Sequence, residues 1–343
     1  MTSKERVLAT IRREEVDYPA SWLGLPVPPA LPALYKYFKV NSISELKAKL
    51  KDDVWPIIVP YNNEPFNDVG CALSFAKDDH AGTQDERTLT APGYFENMTD
   101  PAEVAKYPWP NPSDFLDLKK AKEEVEAVSD NYFKMGIMWS AHFQDACSAF
   151  GMENALITMM MYPDMFKAVI DRITEFYLDL NGQFYEATKG KLDGVLIGND
   201  FGSQTALMVD PGMLREYVFP GTKKLVDQAK SYGLTVLHHS CGSIYPIIDD
   251  LYDMGVDIVH PIQALATDMS AEHLSKQFSA KAFCGAVDAQ ELLVNGKPQN
   301  IAKRVGELKQ LFPTGLIISP SHEAILPDIA PENIEAIFEA VKK

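Results

Sequence analysis

The chain has 343 residues, 46% hydrophobic and 23% charged, a balance that supports a sizeable core and excludes a largely disordered chain. Its 32 basic and 48 acidic side chains give a formal net charge of −16, which excludes the clustered Lys and Arg of a phosphate-tracking surface, so no nucleic-acid partner is expected. No apolar run approaches the ~20 residues of a membrane span, and the start, MTSKERVLATIRREE, reads as a charged amphipathic helix without a signal peptide's apolar region, so no membrane association and a cytoplasmic location are expected.

After that first helix the chain offers three strand candidates, "PASWLGL" (19–25), "DVWPIIVPY" (53–61) and "YFKMGIMW" (132–139). Between the second and third, residues 62–131 are rich in Pro, Asn and Asp and then turn helical in "FLDLKKAKEEVEAVSD", which reads as an insertion capping a barrel. Residues 165–189 carry a plain amphipathic helix and no chemistry. Five strand-helix units follow, opened by "GVLIGND" (194–200), "LTVLHHSC" (234–241), "VDIVHPIQ" (256–263), "AKAFCGAVD" (280–288) and "GLIISPSHE" (315–323). These strands are nearly all apolar, as parallel strands covered on both faces must be. Eight strands in this order predict an α/β fold of the (β/α)8 barrel type, one domain over residues 1–343. No G-x-G-x-x-G follows the first strand, which speaks against a dinucleotide-binding sheet.

Barrel active sites lie at the C-terminal ends of the strands. The polar and aromatic residues expected there are Trp22, Tyr61, His142, Asn199, Asp200, His239, Cys241, His260, Gln263, Asp288, Ser321, His322 and Glu323. His239 and Cys241 are two apart, so on a continuing strand they share a face and can offer one metal an imidazole nitrogen and a thiolate, a pairing that suits zinc. Two other readings of His-x-Cys stay open: a cysteine nucleophile with a histidine base, and a buried strand end before a glycine turn. His238, on the opposite face, reads as a packed histidine with one hydrogen bond, and His260, before a proline, as structural. Asp200 either positions a substrate hydroxyl or shapes the turn before Gly202, His142 either lines the pocket or starts a helix, and Asp288 caps the helix after it. Trp22, Tyr61, Trp139 and Phe201 either pack at the barrel mouth or offer stacking surfaces for an aromatic substrate. Cys71, Cys147, Cys241 and Cys284 are too widely spaced for a disulfide framework, and Cys284 reads as a core thiol.

"HHSCGSIYPIIDDLYDMGVDIVHPIQ" and "SPSHEAILPDIAPENIEAI" resemble the uroporphyrinogen decarboxylase superfamily, and within it the zinc-dependent methylcobamide methyltransferases. The resemblance runs over nearly the whole chain, including "GNDFGSQTALMVDPGMLREYVFP", and implies a single TIM barrel. In the coenzyme M methyltransferases of this branch zinc is held by a His-x-Cys pair and by a cysteine after the last strand. His239 and Cys241 match the pair, and His322, in "SPSH" rather than "SPGC", stands where that cysteine would be. The implied ligand set is His239, Cys241 and His322, with Glu323, Gln263 or Asp200 to complete it. The implied activity is zinc-dependent methyl transfer between a small substrate, an aryl methyl ether or a thiol, and a corrinoid carried by a partner protein. Asp200, His142 and Glu323 are then the catalytic candidates, and Trp22, Tyr61, Phe201 and Gln263 line the binding pocket. The histidine in place of a cysteine leans toward O-demethylation. The alternatives are a uroporphyrinogen decarboxylase-type enzyme, which the arginine-free stretch 16–30 disfavours, and a non-catalytic barrel that docks a corrinoid protein.

Overall fold

Seven of the apolar runs pair side by side in the computed structural model, which describes residues 1–61, 73, 75 and 90–343. In chain order the strands are β1 (Leu25–Pro26), β2 (Val54–Ile58), β3 (Phe133–Trp139), β4 (Gly194–Gly198), β5 (Thr235–His239), β6 (Ile258–Ile262), β7 (Ala282–Val287), β8 (Leu316–Pro320) and β9 (Ala324–Ile325). Strands β2 to β8 form one curled parallel sheet in sequence order, and β1 pairs in parallel with β9 beside it. Helices fill the crossovers between successive parallel strands, as that pairing requires.

The strand expected at 19–25 is much reduced. Only Ser21 bridges β8, at Ile318. Yet this segment spans the gap between the sheet's two edges. Ile318 N–H donates to Ala20 O at 2.8 Å and Trp22 N–H to Ile318 O at 3.1 Å, while Asp53 N–H donates to Ser21 O at 3.1 Å. It stays short of a regular strand because two carboxylates take its remaining donors: Ser21 N–H goes to Asp53 Oδ2 at 2.9 Å and Leu23 N–H to Asp52 Oδ2 at 3.3 Å. The chain then turns at Gly24 with φ +86° and crosses Glu323, whose carbonyl accepts from Leu25 N–H at 2.6 Å.

Period-two alternation sorts the strand side chains into two cores. Trp22, Val54, Phe133, Met135, Leu196, Leu237, Ile258, Cys284 and Ile317 fill the barrel, with Val7 of the first helix (Ser3–Ile11) among them. Val195, Ile197, Val236, Val259 and Phe283 face the helices instead. The amphipathic stretch expected at 165–189 is the helix Pro163–Ala187, which buries Phe166, Val169, Ile170, Ile173, Tyr177 and Leu180. Of the insertion, most of 62–89 and with it Cys71 lie outside the described residues, so the capping expectation falls there. Its described part packs on the outer helices: Phe95 meets Phe150 at 6.0 Å, and Arg172 lies 5.1 Å over the Trp109 ring. Among the described residues no helix is long and apolar enough to cross a membrane.

Candidate metal centre

Alternation along β5 turns His238 toward the helices and His239 into the barrel, and the β5–β6 register sets His239 opposite His260. Two glycines shape the rim around them. A Cβ at Gly198 would lie 2.1 Å from His239 O, so β4 can approach β5 this closely only with glycine there. Gly242, at φ +85°, turns the chain directly after Cys241, and a Cβ on it would lie 2.3 Å from the carbonyl carbon of Gly202. The loop after β4 therefore rests on the loop after β5, and Cys241 N–H donates to Asp200 Oδ1 at 2.8 Å. Gln263 Oε1 fixes the same turn from the other side, accepting from Gly242 N–H at 2.5 Å. Gly242→Ala is expected to destabilise the protein by about 2–5 kcal/mol, the sum of left-handed strain and overpacking. Urea unfolding measures it, and an unchanged midpoint would contradict the crossing.

His239 is the hub. Its Nε2 lies 3.4 Å from Cys241 Sγ and 3.2 Å from Asp200 Oδ1, and its Nδ1 lies 3.1 Å from His260 Nδ1 and 3.4 Å from Glu323 Oε2. The Trp139 ring stands edge-on to it, with centroids 5.1 Å apart. Two groups of donor atoms lie within 4.8 Å of one another, Asp200/His239/Cys241 and His239/His260/Glu323. Tetrahedral zinc with ligands at its usual bond lengths holds them about 3.3–3.8 Å apart. In the first group His239 Nε2 lies 3.4 Å from the sulfur, inside that range, and 3.2 Å from the carboxylate oxygen, just below it, and one imidazole, one sulfur and one carboxylate are a donor set zinc accepts.

The electrostatics agree with that fit. Burial pushes the Cys241 thiol up, but hydrogen bonds from His239 and His322 outweigh it and hold the thiol below its ordinary value. Burial opposes a charge on His239 too, yet Glu323, Asp200 and Cys241 together raise it well above an ordinary histidine. Burial likewise works against ionised Asp200, and its bond to His239 overrides that and takes it down to about 2. Asp200 and Cys241, which favour a positive charge on His239, are acceptors that would favour a cation beside its Nε2 as well. Glu323 Oε2 is buried and has no hydrogen-bond partner among the described residues, a carboxylate oxygen left open 3.4 Å from His239 Nδ1.

The remaining sequence candidates are scattered. His322 borders the cluster without joining either donor group: Ala324 N–H donates to its Nδ1 at 3.0 Å, its ring bonds the Cys241 thiol, and its side chain is 44% exposed. The donor atom grouped with those of His239 and Cys241 is that of Asp200, not of His322, because the Gly202–Gly242 crossing carries Asp200 over the thiol. Trp22 lies under the site, its ring 5.3 Å from that of His260, and Tyr61 lies past the end of β2, bridging Leu116. His142 and Phe201 are not brought to the cluster. His142 is fully buried with Nδ1 near Ser140 O and Asn199 Nδ2, and Nε2 3.1 Å from Val218 O. Phe201 is buried behind the sheet among Phe143, Phe219 and His238. His238 faces the helices as expected, but neither ring nitrogen finds a hydrogen-bond partner among the described residues. Asp288 caps its helix, accepting from the N–H groups of Gln290, Glu291 and Leu292. His260, read from the sequence as structural, is brought against the cluster, its Nδ1 3.1 Å from His239 Nδ1. Its parity with Ile258 is the only signal in the sequence, and it is silent until Ile258 is known to face inward.

A methyltransferase from Methanosarcina mazei has a similar structure, with TM-score 0.69 and 17% identity over 99% of this chain and 98% of that one. At that identity the likeness shows the fold alone. A putative vitamin-B12-independent methionine synthase from Listeria monocytogenes aligns at TM-score 0.47 and 13% identity, over 95% and 96% of the two chains, and carries no argument. No curated protein matches the chain. Residues 70–343 match the family described as Uroporphyrinogen decarboxylase (URO-D), and with four-fifths of its length inside that match the chain belongs to the uroporphyrinogen decarboxylase family.

Proposed function

We propose that this protein is a zinc-dependent methyltransferase that moves a methyl group between a small substrate and a corrinoid carried by a partner protein. The observation that carries the reading is the approach of Cys241 Sγ and Asp200 Oδ1 to one nitrogen of His239, 3.4 and 3.2 Å away, at the open end of a URO-D barrel. His239, Cys241 and Asp200 would hold the ion, with His322 at the rim as a further donor. Zinc held there supplies Lewis acidity, lowering the pKa of a thiol or polarising the oxygen of a methyl ether. Asp200 and His322, both partly exposed, meet a substrate entering the mouth, and Trp139 walls one side of it. The methyltransferase title of the Methanosarcina mazei neighbour is consistent with this chemistry.

A macromolecular partner at the mouth has its own support. Exposed Leu265 and Leu326 follow β6 and β9, and exposed Met160, Met161 and Tyr162 precede the helix Pro163–Ala187, which returns the chain toward the start of β4. These apolar side chains therefore ring the strand ends where a carrier would dock. Decarboxylation of a many-carboxylate porphyrinogen finds no such support. The N-terminal arginines sit at the opposite end of the barrel, Arg6 held by Asp17 and Asp53, Arg12 by Glu14, and Arg13 by Lys281 O.

The test is purified protein assayed for bound zinc and for methylation of reduced cobalamin by methyl ethers and methyl thioethers, followed by the visible spectrum of the corrinoid. One zinc per chain with methyl transfer is the expected result. Absence of zinc, or uroporphyrinogen consumption in its place, overturns the reading.

A further inference from the structure

We propose that His260 is a positioning residue, one that fixes the tautomer and orientation of His239 so that Nε2 faces Cys241 and Asp200. The proposal rests on the zinc reading above. An imidazole that ligates through Nε2 must carry its proton on Nδ1, and that N–H needs an acceptor to hold the ring in place. Two atoms face His239 Nδ1: His260 Nδ1 at 3.1 Å and Glu323 Oε2 at 3.4 Å. Glu323 Oε2 makes no hydrogen bond among the described residues, so the aligned acceptor is His260.

The fold itself has no need of an imidazole at this position. His260 is fully buried, its Nε2 is without a partner among the described residues, and its ring makes one hydrogen bond, to His239. A buried polar ring left half unsatisfied is a burden that an apolar side chain of similar size would remove. Such a burden persists where it serves a site. Two neighbours pin the ring: the β5–β6 register pairs residue 260 with residue 239, and Trp22 packs against the ring at 5.3 Å and 54°.

The two roles of His260 predict effects of opposite sign, which makes the test sharp. In His260→Leu, zinc affinity measured by chelator competition on the full chain should fall about 10–100-fold, the usual cost of losing an orienting partner. The metal-free variant should melt at the wild-type temperature or above it. His260→Asn, whose Oδ1 can sit where Nδ1 sat, should recover most of the affinity. Spectra of 15N-histidine-labelled, zinc-loaded protein should show a protected Nδ1 proton on His239 in wild type and in the Asn variant, and lose it in the Leu variant. Unchanged zinc affinity in His260→Leu, a lowered melting temperature of its metal-free form, or a second zinc ion per chain held by His239, His260 and Glu323 overturns the proposal. Cys241→Ala separates the two readings: if it removes zinc while His260→Leu does not, only the role of His260 falls, and if neither does, the zinc reading falls with it.

Discussion

Cys241→Ala should yield a folded protein that no longer retains zinc. The thiol is half-buried at the rim and belongs to neither core, so its loss opens little space and leaves the packing of β5 intact. What it removes is the one soft donor beside His239 Nε2, leaving Asp200 Oδ1 alone at 3.2 Å. Affinity should fall by more than the about 10–100-fold that an outer partner costs, because a ligand is lost rather than its orientation. Neither remaining described thiol can substitute. Cys147 and Cys284 are fully buried, and burial pushes Cys147 up to about 12 and Cys284 higher still, so both stay protonated and inert. Zinc per chain after dialysis against a chelator, with circular dichroism as the fold control, measures the effect. Methyl transfer should disappear in step with the metal. Zinc retained at one per chain in the variant would place the ion elsewhere.

How far the sequence announces this site depends on which residue is considered. The strands β4 to β8 are legible because each is a dense apolar run, and parallel strands buried on both faces leave that mark. The same density hides which face is which: along "IVHPIQ" either set of alternate residues could look inward, so His260 could not be told from a packing residue. The segment at 19–25 has the composition of a strand, and what limits it comes from Asp52 and Asp53 some thirty residues later, whose carboxylates take its backbone donors. His239 and Cys241 were readable as a pair because two-residue spacing is a local fact. The approach of Asp200 to them was not, because it depends on two loops crossing at glycines. Phe201 follows Asp200 directly and so turns the other way, to the helices, and His142 is drawn inward by a carbonyl at Val218, far along the chain.

Asp53→Ala should be the most costly single substitution for stability, because it opens the barrel at its seam. The carboxylate joins the closing segment to the floor: Oδ2 accepts Ser21 N–H at 2.9 Å, and Oδ1 meets Arg6 Nη1 at 2.5 Å. Burial pushes the Asp53 carboxyl up to about 6 against the pull of Arg6, so the pair is held in a setting that penalises its charge. Such a pair adds little net stability, yet removing one partner leaves the other charged and buried, at a cost of about 3–5 kcal/mol. Asp17, bonded to Arg6 at 2.8 and 3.0 Å, keeps part of that charge compensated and draws the value toward the lower end. The orphaned Ser21 N–H adds about 1–3 kcal/mol. Asp53→Asn keeps an acceptor for Ser21 and loses only the ion pair, so it should unfold between wild type and the Ala variant in urea. A loss below about 1 kcal/mol in Asp53→Ala, no larger than an exposed ion pair is worth, would mean that the seam is held elsewhere. The effect should also reach the mouth, since the residue after Ser21 is Trp22, which packs on His260 and through it on His239. On the zinc reading, a seam that loosens in Asp53→Ala should therefore weaken zinc binding in the folded protein as well, although Asp53 lies at the other end of β2 from the His239 cluster.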